Sequence, residues 1–128
     1  MTRDEVLKDI EKTMGVVPTF MREIPATTLE YEWQLMKKME FEPGTLTLQT
    51  RHLLGLAIST VTHSRNCAKY YLESARTAGV TTEEIRACLE FTKNAVGWNL
   101  FIESGLVDEN QLTTETNFTG TNRIVTTT

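Results

Sequence analysis

The chain has 128 residues, 40% of them apolar, which is enough to build one core and points to one domain. Its 13 basic and 17 acidic residues leave a formal charge of −4, which opposes long-range attraction to nucleic acid or anionic membrane, so neither partner is expected. No run approaches the roughly 20 apolar residues of a membrane span, and the polar start MTRDEVLKDIEK lacks the apolar core of a signal peptide, so a cytoplasmic location is expected. In a reducing compartment the two cysteines, Cys67 and Cys88, are expected as thiols. The N-x-T match at Asn117 then carries no weight as a glycosylation site.

The three prolines and most of the seven glycines fall between periodic segments, a punctuation that predicts an all-α chain. Thr2 before Arg3-Asp4-Glu5 starts a helix to about Thr13, with Val6, Leu7 and Ile10 at helical spacing and Gly15 as its stop. GVVPTF follows as an extended connector. Pro25 suits a first helical turn, and Leu29, Trp33, Met36 and Met39 mark an apolar stripe on a helix that ends near Phe41, before the breaker Glu42-Pro43-Gly44. Thr47 caps the next helix, where Leu53, Leu54, Leu56, Ala57, Ile58 and Val61 form an apolar surface broad enough to predict burial on several sides. A helix from a Ser64 cap to Gly79 follows almost at once, with Cys67, Ala68, Tyr71, Leu72, Ala75 and Ala78 on one face. These two are predicted to form a central antiparallel hairpin. Thr81-Thr82-Glu83-Glu84 opens another helix carrying Ile85, Cys88, Leu89 and Thr92, and a separate last helix contains Trp98, Phe101 and Ile102 and ends at Gly105. The helical domain is thus expected over residues 1–111. Residues 112–128 hold eight threonines and form a tail expected either to be disordered or to dock Phe118 and Ile124-Val125 on a neighbouring subunit.

The succession of GVVPTF, a helix, RHLLGLAIS and a helix ending in TAGVTTEEI resembles the alkylhydroperoxidase D-like, carboxymuconolactone decarboxylase family over about residues 12–106. In that family a helix with an acidic residue near its start leads to a C-x-x-C-x-x-x-H segment, with a glycine twelve positions after the second cysteine. Counting back from Gly79 sets the second cysteine on Cys67, the first on Ser64, the histidine on Tyr71 and the acid on His52. The resemblance implies an alkylhydroperoxidase D-like helical fold and a homo-oligomer, usually a trimer or hexamer. The catalytic motif keeps its residue type only at Cys67.

Peroxide reduction by a dithiol needs a thiolate to attack oxygen and a second thiol to resolve the resulting sulfenic acid, and Ser64 cannot form that disulfide. The expected function is therefore a family member with a degenerate site, holding a small molecule or serving in an assembly, without dithiol peroxidase activity. One alternative is a one-cysteine peroxidase or thiol oxidoreductase. In the first turn behind a Ser64 cap, the helix dipole favours a Cys67 thiolate, and Arg65 and Lys69 add positive charge. Against it stands Cys67 as a small buried residue between helices. Cys88 sits on an apolar stripe and reads as core. His52 is a candidate proton relay or an ordinary hydrogen-bonded histidine, as is His63 beside the cap. Without an H-E-x-x-H pattern no metal site is expected, and no cofactor. Tyr71 either donates its phenol into the same pocket or packs between helices. The decarboxylase branch, which the resemblance implies acts on a cyclic lactone acid without the cysteine pair, would need convergent donors such as Arg51, His52, Arg65 and Tyr71. Trp33, Met36 and Met39 read as core or subunit interface.

Overall fold

The computed structural model describes residues 1–106, and the structural statements below concern those residues. Among them there are six α-helices and no strand: α1 Arg3–Met14, α2 Thr19–Arg22, α3 Ala26–Glu40, α4 Leu48–Val61, α5 Arg65–Thr77 and α6 Thr82–Glu103. The domain boundary expected at 111 and the Thr-rich tail lie outside the described residues.

The helix ends follow from local chemistry. Thr2 and Glu5 close a reciprocal box on α1, the Glu5 N–H donating to Thr2 Oγ1 at 3.2 Å and the Thr2 N–H to Glu5 Oε2 at 3.0 Å. Thr81 and Glu84 repeat the device on α6. Gly15 ends α1 in the left-handed region at φ 82°, a conformation that costs a residue with a Cβ far more than it costs glycine. Thr47 accepts the Thr50 N–H at the start of α4.

The helices gather round two apolar clusters. Val6 and Ile10 of α1, Val17, Met21 of α2, and Leu29 and Trp33 of α3 form the first. Leu56 of α4, Ala75 of α5, Val80 and Ile85 of α6 form the second, with Tyr71 and Leu72 packed against it. Trp33 is fully buried, so its indole N–H must find a partner; it donates to Asp9 Oδ2 at 2.8 Å. Lys37 Nζ meets the same oxygen at 2.9 Å. These two donors, the indole first and the ammonium second, hold the Asp9 carboxyl below its usual range.

Three sequence expectations are corrected. The GVVPTF connector is not wholly extended: with Pro18 as N-cap its last residues enter the single turn of α2, where Met21 plugs the first cluster. The two helices expected after Thr81 are one. Nothing between Cys88 and Trp98 breaks α6, since the lone Gly97 costs a helix interior only about 1 kcal/mol. α4 is buried on one side, at His52, Gly55, Leu56 and Ser59, while Leu54, Ile58 and Val61 stay exposed because no described element covers them fully.

Asp9→Leu removes the partner of a buried indole N–H and is expected to destabilise the fold by about 1–3 kcal/mol at neutral pH in denaturant titration. Because the folded state lowers the Asp9 pKa, the stabilisation is present above the ordinary carboxyl value of 3.8 and fades as pH falls through the lower folded value. The gap between wild type and variant should therefore narrow only under strongly acid conditions.

Candidate functional site

The site is built on the α4–α5 hairpin. Thr62, His63 and Ser64 join the two helices, with His63 in the left-handed region at φ 60° and the Ser64 N–H donating to Ser59 O at 2.8 Å. Ser64 stands at the N-cap of α5 as expected, yet its hydroxyl accepts no bond from the first turn. Cys67 is the third helical residue. It is exposed, which corrects its placement among the buried residues: Ala68, Leu72 and Ala75 take the face toward the second cluster, and Cys67 sits beside that stripe. Arg65 and Lys69 point to solvent on the same helix. Cys88, half-buried, turns its thiol to the Leu53 carbonyl at 3.5 Å, and both thiols are free.

One turn beyond Cys67, Tyr71 lies against α4 at Gly55. A Cβ built on Gly55 would overlap the Tyr71 ring at Cε1, Cδ1 and Cζ, so the close approach exists because residue 55 has no side chain. Held there, the Tyr71 hydroxyl donates to Glu40 Oε1 at 2.6 Å, linking α5 to the last residue of α3. Burial first, then the bond to Glu40 and its negative charge, push the Tyr71 phenol well above its ordinary 10.0; the neighbouring Tyr70 and Cys67 act in the same direction. Tyr70 is raised as well, by burial and by the Glu40 charge. At any physiological pH Tyr71 is thus a proton donor to a carboxylate and not a base.

Arg51 fixes where Glu40 sits. Its guanidinium donates to the carbonyls of Leu46 at 3.1 Å, Met39 at 2.6 Å and Glu42 at 2.7 Å, with a longer contact to Lys38 at 3.4 Å. It therefore caps the C-terminus of α3, where carbonyls lack helical partners. The converging donor set considered for lactone chemistry does not include it, because its fork is committed to backbone.

His52, on α4 one turn before Gly55, is buried with 7% exposure, and its Nδ1 has no hydrogen-bond partner among the described residues. It is neither partly exposed nor fully hydrogen-bonded, as a structural histidine was expected to be. It lines a cavity with Glu40 and Tyr70. His63 is exposed in the loop. Thus His52 and Tyr71 both border Glu40's surroundings, Ser64 and Cys67 share the first turn of α5, and Cys88 stands apart at Leu53. Sequence inspection missed Glu40 and Gly55. Glu40 carries no motif; Gly55 does carry a signal, since a glycine inside an apolar helix costs stability and usually marks a close approach.

The sequence model of the carboxymuconolactone decarboxylase family matches residues 22–104. The fold is similar to the crystal structure of the alkylhydroperoxidase AhpD core from Rhodospirillum rubrum, with a TM-score of 0.70 and 27% sequence identity over 85% of each chain. No curated protein sequence matches the chain.

Gly55→Ala should cost about 1–2 kcal/mol, the overpacking against Tyr71 exceeding the gain in helix propensity. In a Tyr71→Ala background the same change should become neutral or stabilising by thermal or denaturant unfolding, which identifies the phenol ring as the cause.

Proposed function

The chain belongs to the carboxymuconolactone decarboxylase family, and from that we propose that it is a member without dithiol peroxidase chemistry. The observation that carries this is the first turn of α5, where a single sulfur, Cys67, follows a serine at the N-cap. In a dithiol cycle a thiolate attacks the peroxide oxygen, the O–O bond breaks with loss of alkoxide, and the sulfenic acid loses its hydroxyl as water when a second thiol closes a disulfide. The Ser64 hydroxyl cannot supply that second sulfur. Cys88 faces the Leu53 carbonyl instead. Nor is there a base for the thiol in the Tyr71 phenol, which holds its proton against Glu40.

The exposure of Cys67 favours a second reading, single-thiol chemistry. Its sulfur can attack a peroxide and persist as a sulfenic acid until an external thiol reduces it through a mixed disulfide. The two readings part in one experiment. One equivalent of cumene hydroperoxide, added without reductant and followed by dimedone, should give either no product or a dimedone adduct on Cys67, and no intrachain disulfide. Ser64→Cys should yield that disulfide under the same treatment. A Cys67–Cys88 disulfide in the wild type contradicts both readings, whereas turnover driven by an external thiol and abolished by Cys67→Ser selects the single-thiol one.

We also infer that the chain assembles as a homo-oligomer, a trimer or hexamer. Support comes from α6, whose second half exposes Trp98, Leu100 and Phe101 at 60%, 76% and 60%, large apolar side chains of the kind that subunit interfaces bury. Leu54 and Ile58 on the outer side of α4 add to it. Among the described residues no helix is long and apolar enough to cross a membrane. Light scattering on the full chain should give a multiple of the monomer mass, and Leu100→Glu with Phe101→Glu should shift it toward monomer; a monomeric wild type contradicts the assembly.

A further inference from the structure

The inner side of α6 is taken by Ile85, Cys88 and Thr92, which are buried or half-buried. Its opposite side is open. There Ala87, Phe91, Asn94, Trp98 and Phe101, all exposed, recur at intervals of four, three, four and three residues, the spacing of the seam along which two helices pack in a coiled coil. A hollow of about 720 Å³ runs along this seam, and every residue that lines it belongs to α6. A hollow walled by one helix is half of a groove.

Gly97 lies in the same wall. A glycine inside a helix costs stability and marks a place where something else comes close. At Gly55 that neighbour is the Tyr71 ring, whereas a Cβ on Gly97 would meet nothing within 4 Å. Within the described chain the room above Gly97 goes unused. Phe91, Trp98 and Phe101 are 73%, 60% and 60% exposed. Rings of this size leave on the order of 400 Å² in water, about half of the roughly 800 Å² that each partner buries in a standard interface. Phe91 also lines the hollow between α4 and α6 with Leu54 and Val96, both exposed, which carries the apolar surface toward that figure.

We propose that α6 pairs with α6 of a second copy, antiparallel and across a two-fold axis at Asn94. This rests on the homo-oligomer reading above and adds which face pairs and in which direction. An axis at Asn94 sets Phe91 of each copy opposite Gly97 of the other, Phe101 opposite Ala87 and Trp98 opposite Glu90, so each ring meets a small residue or a carboxylate. The Trp98 indole N–H then has a carboxylate to donate to, and the Asn94 amide, both donor and acceptor, pairs with its own copy. A parallel, in-register pair would press Phe91 on Phe91, leave the room above Gly97 empty and align the two helix dipoles. A two-fold pair needs an even number of copies, so of a trimer and a hexamer it selects the hexamer.

Light scattering on the full chain should give a hexameric wild type. Phe91→Glu with Trp98→Glu should give half that mass at unchanged helix content by circular dichroism, because both side chains are exposed in the single chain. Gly97→Leu should halve the mass too, although the helix itself gains propensity. Oxidative cross-linking in a Cys67→Ser, Cys88→Ser background reads the direction. Asn94→Cys should give a covalent dimer; Ala87→Cys and Phe101→Cys should each fail alone and succeed when combined in one chain. A monomeric wild type overturns the oligomer reading and the pairing together. A trimeric wild type, or a mass that survives both sets of seam variants with no dimer from Asn94→Cys, overturns the pairing alone; the latter is also the result if residues 107–128 of the same chain cover α6. A covalent dimer from Ala87→Cys alone overturns the antiparallel direction.

Discussion

The absence of a side chain at Gly55 is the constraint on which the centre of this molecule depends. It lets the Tyr71 ring rest on the α4 backbone, and from there the phenol reaches Glu40 across the helices. One contact thereby joins three elements: α5 through Tyr71, α4 through Gly55 and α3 through Glu40. Arg51 completes the joint from the other side by gathering the carbonyls at the end of α3, so that Glu40 meets the hydroxyl at a fixed distance. The rotation of α5 follows. With Tyr71 turned toward α4 and Ala75 in the second cluster, Cys67 faces outward and Ser64 holds the N-cap.

The chemistry of the joint explains why the resemblance in fold need not carry the reaction. Where the family pattern has a histidine, this chain has a phenol, and the phenol's proton is held by a carboxylate on a different helix. Where the pattern has an acid, this chain has a histidine buried away from Cys67's exposed turn, with a ring nitrogen that no residue of the described chain satisfies. Acid and imidazole have in effect changed elements. The result is a proton held between Tyr71 and Glu40 rather than a relay leading to a thiol.

Helix positions were legible wherever a cap or a stop had its own chemistry: the Thr2–Glu5 and Thr81–Glu84 boxes, Gly15 and Thr47 each delivered a boundary close to its observed place. What failed did so for identifiable reasons. The exposure of Cys67 depends on how α5 is rotated by the Tyr71–Gly55 contact, which is long-range and leaves no periodic mark around residue 67. Glu40 looks in sequence like any acid at the end of a helix, and only folding brings it to Tyr71, thirty-one positions away. Arg51 looked like a free cation, since nothing local shows that its fork closes on the preceding loop. The outward side of α4 looked like core because apolar composition reports burial without saying whether one's own chain or another provides it.

The link from Tyr71 to Glu40 is tested most directly by a double-mutant cycle in denaturant unfolding with Tyr71→Phe, Glu40→Leu and the pair. A coupling energy of about 1–3 kcal/mol is predicted for a partly buried bond between a phenol and a carboxylate. Changes that add to within about 0.5 kcal/mol would mean that the two groups do not act together, and the placement of α5 would need another cause.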